Sequence, residues 1–235
     1  MKTLKIMFRI AISLMTIVLL ILASSCAGAK TPPISAADII SKASANFQAA
    51  NSFHFALNQT GGGTPIGMGM EMTKAEGDIA RPDKFKVTIT GIVSGMTISV
   101  QMVTVGSSTL MTNPISGNWE VPPSQFAVLS VFDPNTGIAA IVKGISSLQK
   151  LADSQVGGVN CYHVSGNITS DALKPLTGSS MQGGQVSVEI WVGQTDFMAR
   201  SIKLTGKITD TEVDGIVRTL DISNFNAPVT ITLPQ

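Results

Sequence analysis

Few residues in this chain could carry acid–base, nucleophilic or metal chemistry. The 235 residues include two histidines, His54 and His163, and two cysteines, Cys26 and Cys161. In the stretch SFHF, His54 alternates against Phe53 and Phe55, which puts it on the opposite face of a strand, at a rim or in solvent. His163 shares strand parity with Cys161 and Ser165. A Cys-x-His pair on one face offers two metal ligands, but structural zinc takes four and no further Cys or His lies close in the chain. Glu71, Glu76 and Asp78 cluster in one segment, yet general acid–base work needs a partner and a cleft. They read as rim charges. The sequence leaves open whether Glu76 and Asp78 share the face of the methionines before them or shift from it at Gly77. No G-x-S-x-G nucleophile elbow and no phosphate-binding G-x-x-x-x-G-K-[ST] occurs, and TGGGTP reads as a connecting loop. The chain is expected to have no catalytic residues, no metal and no cofactor, and not to be an enzyme.

The elements that would hold any site are mostly strands. SFHFALNQ places Phe53, Phe55 and Leu57 on one face. GMGMEM alternates Met68, Met70 and Met72, and MTISVQMVTV alternates Met96, Ile98, Val100 and Met102 against polar neighbours. Methionine is not a favoured strand former. It fills irregular gaps and recurs on surfaces that accept several shapes. Two readings stand side by side: these methionines pack as solid core, or they line a cavity. Further strands are expected at KFKVTIT, STLMT, VNCYHVSGNIT, QVSVEIWVG, ARSIKLTGKIT, GIVRTLDIS and PVTITLP. A helix from Ser35 to about Ala50 is marked by Ser35 and Asp38 at capping spacing and by Ile39, Ile40, Ala43 and Phe47 on one face. A second amphipathic helix is expected over IAAIVKGISSLQKLAD, where Ile138, Ile141, Val142, Ile145 and Leu148 fall near helical spacing. A short helical piece is expected at SDALKPL. Trp119 and Trp191 read as structural. Nine to eleven turn-linked strands without a βαβ rhythm predict an α+β fold. It would be one large curved antiparallel sheet with a few helices on its concave side.

The first 26 residues carry no acid and three bases, Lys2, Lys5 and Arg9, followed by an apolar stretch from Ile10 to Ala23. That length suits a signal-peptide core better than a membrane span. It ends LASSCAG, which resembles a bacterial lipobox, although Leu22 stands four residues before Cys26 where the motif usually has leucine three before. Three divisions follow: a lipoprotein signal peptide over 1–25, a lipidated Cys26 with a tether over 26–35, and one domain over 36–235. From Cys26 onward the chain holds thirteen bases and fifteen acids. It therefore shows no basic excess of the kind that binds nucleic acid. With Cys26 acylated, Cys161 has no intramolecular partner and reads as a small buried hydrophobe.

Several stretches in order resemble one family: the lipobox, ASANFQAANSFHF, AEGDIARPDKFK, FDPNTGIAAIV, VGGVNCYHVSGNI, VEIWVG and DISNFNAPVTITLP. The chain is similar over most of its mature length to the LppX/LprAFG lipoproteins. The resemblance implies a half-open β-barrel like that of the LolA/LolB carriers, with helices covering a large apolar cavity. It also implies a membrane-anchored protein on the outer face of the cell membrane, which binds an acylated lipid or glycolipid and carries or presents it in the envelope. A lipid transporter is a further candidate partner. Cavity candidates are Met68, Met70, Met72, Met96, Ile98, Val100, Met102, Ile138, Ile141, Val142 and Ile145. The alternative is an anchored interaction or assembly module with a solid core and no lipid ligand.

Overall fold

The computed structural model describes residues 33–66, 69–123, 138–177 and 179–234, without the side chains of residues 138–140, 175 and 176. The elements run in chain order as α1 (Ala36–Ala49), β1 (Ser52–Thr60), β2 (Thr64–Pro65), β3 (Glu71–Ala80) and β4 (Lys84–Val93). β5 (Met96–Val105), β6 (Ser108–Thr112), β7 (Trp119–Glu120), α2 (Ile138–Lys143) and β8 (Ser146–Lys150) follow. β9 (Ser154–Val156), β10 (Val159–Thr169), a 3₁₀ turn (Ser170–Leu173) and α3 (Lys174–Thr177) lead to β11 (Gln185–Gly193), β12 (Ala199–Thr205) and β13 (Val217–Ser223). All thirteen strands belong to one antiparallel sheet, in the order β7-β6-β5-β4-β3-β1-β13-β12-β11-β10-β8, with β2 beside β3 and β9 beside β10. The sheet is curved, as the sequence pattern predicts, and does not close, as the family resemblance implies.

The register explains the curvature and the two faces. Val164, Ile190, Ile202, Leu220, Leu57, Ala75, Ile89 and Val100 lie opposite one another in turn, forming a continuous apolar row across eight strands. One residue along, the row reads His163, Trp191, Ser201, Asp221, Ala56, Glu76, Thr88 and Gln101. Adjacent rows point to opposite faces, so one face is apolar and concave and the other polar and convex. Gly77 lets the β4 backbone approach β3 closely on that apolar face. A Cβ there would lie 2.1 Å from the Lys86 carbonyl oxygen and 2.8 Å from Val87 Cα.

α1 packs on the concave face. Ser35 caps it, its hydroxyl oxygen accepting from the Asp38 N–H at 3.1 Å, and Ile39, Ile40, Ala43 and Phe47 are buried. The Phe47 and Phe53 rings lie 4.9 Å apart. Arg81, in the β3–β4 turn, donates to the carbonyls of Phe47, Gln48 and Ala50 at 2.9, 2.5 and 2.9 Å. The last carbonyls of a helix have no partner inside it, so Arg81 both caps α1 and fastens it to the sheet.

Two expected elements differ. The second helix stops at Lys143, and the rest of that stretch turns at Gly144 and becomes β8, paired with β10. Gly144 favours a helix end, and Ser147 takes φ +53°. Ile145 drops onto Gly166, where a Cβ would lie 2.5 Å from Ile145 Cγ2. Edge pairing with β10 therefore wins over helix continuation. PVTITLP, expected as a strand, forms none, although Ile231 in it is buried.

Candidate functional site

The polar chemistry sits on the convex face and forms no reactive constellation. His54 Nδ1 lies 2.8 Å from Asp78 Oδ1, and its Nε2 lies 3.4 Å from Glu76 Oε1. These carboxylates reach the convex face because the register shifts between Met72 and Lys74. A bulge at Thr73, rather than at Gly77, moves the apolar parity from Met70 and Met72 to Ala75, Gly77 and Ile79. His163 stacks on Trp191 at 4.3 Å between ring centroids, and its Nε2 lies 2.9 Å from Glu189 Oε2. Lys203 Nζ donates to Glu189 Oε1 at 2.9 Å. That hydrogen bond, aided by the charges of Lys203 and His163 and opposed by burial, holds the Glu189 carboxyl below its ordinary range. Cys161 is buried, its thiol donating to the Val159 carbonyl, and burial pushes its pKa up. Both imidazoles meet carboxylates, and among the described residues no His/Cys/Asp/Glu cluster could hold a metal ion.

One ionic group lies on the concave side. Arg218 pairs with Glu212 where both side chains are almost wholly buried. Arg218 Nε donates to Thr64 Oγ1 at 3.2 Å and Nη1 to the Gly206 carbonyl at 3.1 Å. Glu212 Oε2 accepts from the Ile208 N–H at 2.7 Å, and Thr64 donates to Gln59 Oε1 at 2.8 Å. The network ties the loop after β12 to β1 and β2.

At the β3–β6 end of the concave face is an apolar recess of about 290 Å³ lined by Met70, Val93, Met96, Ile98, Val100, Met111, Pro114 and Ile115. No charged side chain lines it. The β4–β5 turn sets its geometry: Ser94 and Gly95 take φ +50° and +80°, the pattern of a two-residue type I′ hairpin. Val93 therefore pairs with Met96, and Gly91 with Ile98. Gly91 also admits Met70, whose methyl would lie 2.8 Å from a Cβ there. A second recess of about 390 Å³ runs between α1 and the Ile145–Leu148 stretch, and its lining includes Ser41, Ser44, Gln48 and Lys143. Its mixed polarity makes it the poorer match for a hydrocarbon chain.

Of the expected cavity residues, Met70, Met96, Ile98 and Val100 come together in the apolar recess. Met72 and Met102 are buried in the sheet's own packing, as are Ile141 and Val142 beneath the helices, and Ile145 lines the second recess. Met68, the Ile138 side chain and Cys26 lie outside the described residues. The sequence reading missed Val93, Met111, Pro114 and Ile115. The Ser94-Gly95 turn signal predicts the first, while Pro114 and Ile115 sit in an irregular loop with no periodicity to mark them.

An unclosed antiparallel half-barrel with helices on an apolar concave face defines the class of protein. The chain belongs to the LppX_LprAFG lipoprotein family, whose model matches residues 35–231. It is 22% identical over 205 residues to the lipoarabinomannan carrier protein LprG of Mycobacteroides abscessus, covering 85% of this chain and 84% of the relative. Among solved structures it is similar to LprF from Mycobacterium bovis, with a TM-score of 0.65 and 16% identity over 85% of this chain and 96% of that one. It is also similar to LppX from Mycobacterium tuberculosis, with a TM-score of 0.61 and 16% identity over 86% of this chain and all of that one. At these identities the two structures establish the fold.

Proposed function

We propose that this lipoprotein holds an acyl chain of a lipid or glycolipid against its concave face. It carries or presents that lipid within the cell envelope, anchored through Cys26 on the outer face of the membrane, and it does no chemistry on its ligand. The observation that carries the proposal is the recess of about 290 Å³ whose lining is wholly uncharged. Ligand sites of about 300–1,000 Å³ are mostly apolar with few polar groups, so this one is sized for a single chain segment. Physical need supports the role. Exposing a sixteen-carbon chain to water costs roughly 0.8 kcal/mol per CH₂, about 12 kcal/mol in all, which makes unassisted transfer very slow. The related LprG is called a lipoarabinomannan carrier protein, and that too favours a carrier over a solid interaction module.

The test uses the chain from Ala27 onward, purified without detergent and extracted with organic solvent. Mass spectrometry should find co-purified acylated lipid, and the lipid-free protein should take up a fluorescent fatty acid. Neither result appearing would leave the solid module as the better account. In cells, Cys26→Ala should release the protein from membranes and abolish acyl labelling.

A further inference from the structure

Two loop tips stand at the mouth of the apolar recess: the β4–β5 hairpin from Ile92 to Met96, and the β6–β7 loop from Asn113 to Asn118. Ile115 is 95% exposed, Met96 65% and Ile92 40%. Met96, Pro114 and Ile115 also line the recess. The tips read IVSGM and NPISGN and carry no charge. Nearly bare apolar side chains on neighbouring tips mark a contact surface.

The backbone of the second tip is already satisfied from within. Asn113 Oδ1 accepts from the Ile115 and Ser116 N–H groups at 2.9 and 3.1 Å. The Gly117 N–H donates to the Asn113 carbonyl at 2.9 Å, and the Asn113 N–H to the Asn118 carbonyl at 2.8 Å. A loop whose donors are paired this way leaves water without orphaning them, which is the requirement a lipid phase imposes. The first tip is a closed two-residue hairpin with Val93 paired to Met96.

We propose that these two tips insert into the surface of a lipid bilayer and open the recess directly onto its acyl chains. A bilayer fits the observations because insertion buries aliphatic and thioether groups, the two tips hold no charged residue, and the second tip's N–H groups are already paired. Chain length brings that surface within reach. Eight residues separate Cys26 from Ser35, so a lipid anchor at Cys26 holds the start of α1 within about 30 Å of the membrane. This last argument rests on the anchored-carrier reading above.

The test removes the anchor. In the mature chain with Cys26→Ala, an environment-sensitive fluorophore is placed at Ile115→Cys, and in a second sample at Ser187→Cys, which is exposed on the convex face. Cys161 is buried and stays unlabelled. With phosphatidylcholine vesicles carrying acyl-chain quenchers, the label at position 115 should be quenched and the label at 187 should not. Adding Met96→Asp should lower vesicle binding about tenfold. Equal quenching at both positions, or none at 115, overturns the proposal. Uptake of a monomeric fluorescent fatty acid in vesicle-free buffer is measured beside it. Uptake without insertion overturns the membrane contact alone. Insertion without uptake supports the membrane contact and overturns the carrier reading.

Discussion

Glu212 and Arg218 show what a single residue contributes inside a buried ionic network. Their side chains are 0% and 4% exposed, and their remaining partners are Thr64 of β2, the Gly206 carbonyl and the N–H groups of Ile208 and Thr209. Losing one partner leaves the other buried and unpaired, and removing one member of such a pair costs about 3–5 kcal/mol. Glu212→Ala should lower unfolding stability by that amount in a denaturant titration. Asp214→Ala should change it little, because Asp214 is 97% exposed in its contact with Lys207. At the same scale the methionines of GMGMEM separate in role. Met70 crosses Gly91 into the recess, whereas Met72 packs within the sheet. Their shared alternation predicts a common face but not which of the two meets empty space, because that depends on the neighbouring strand.

At the scale of elements, strand alternation was legible wherever one face is buried. Phe53 and Phe55, Phe85, Val87 and Ile89, and Val100 with Met102 all fall on the concave side. Three things were not legible. The Thr73 bulge reverses parity in the middle of β3, and sequence carries no mark of an extra unpaired residue. The helix over 138–153 has good helical spacing, but β10 offers an edge and Gly166 a gap, and both are tertiary facts. The Pro114–Ile115 lining comes from a loop. Gly77, where the sequence left a parity shift open, serves as a close-approach site. Gly77→Ala would press a Cβ against the β4 backbone. It should destabilise the fold by about 1–3 kcal/mol, the usual cost of overpacking, measured as a lower thermal midpoint with the same cooperativity.

For the whole molecule, the half-barrel separates chemistry from shelter. Both imidazoles are held against Glu76, Asp78 and Glu189 on the convex side, and the eight-strand apolar row runs across the other. Leu57 and Leu220, in the middle of that row, are only half-buried. The family places the chain among lipoproteins, and the recess is the feature that turns membership into a mechanism. The most direct measurement is equilibrium uptake of a fluorescent fatty acid by the wild-type protein and by Ile98→Trp. Ile98 is half-buried on the recess wall, and an indole there would fill the space without removing core. The account predicts saturable uptake by the wild type, weakened about tenfold or more by the substitution, with the unfolding midpoint unchanged. Equal uptake by both proteins, or none by the wild type, would contradict it.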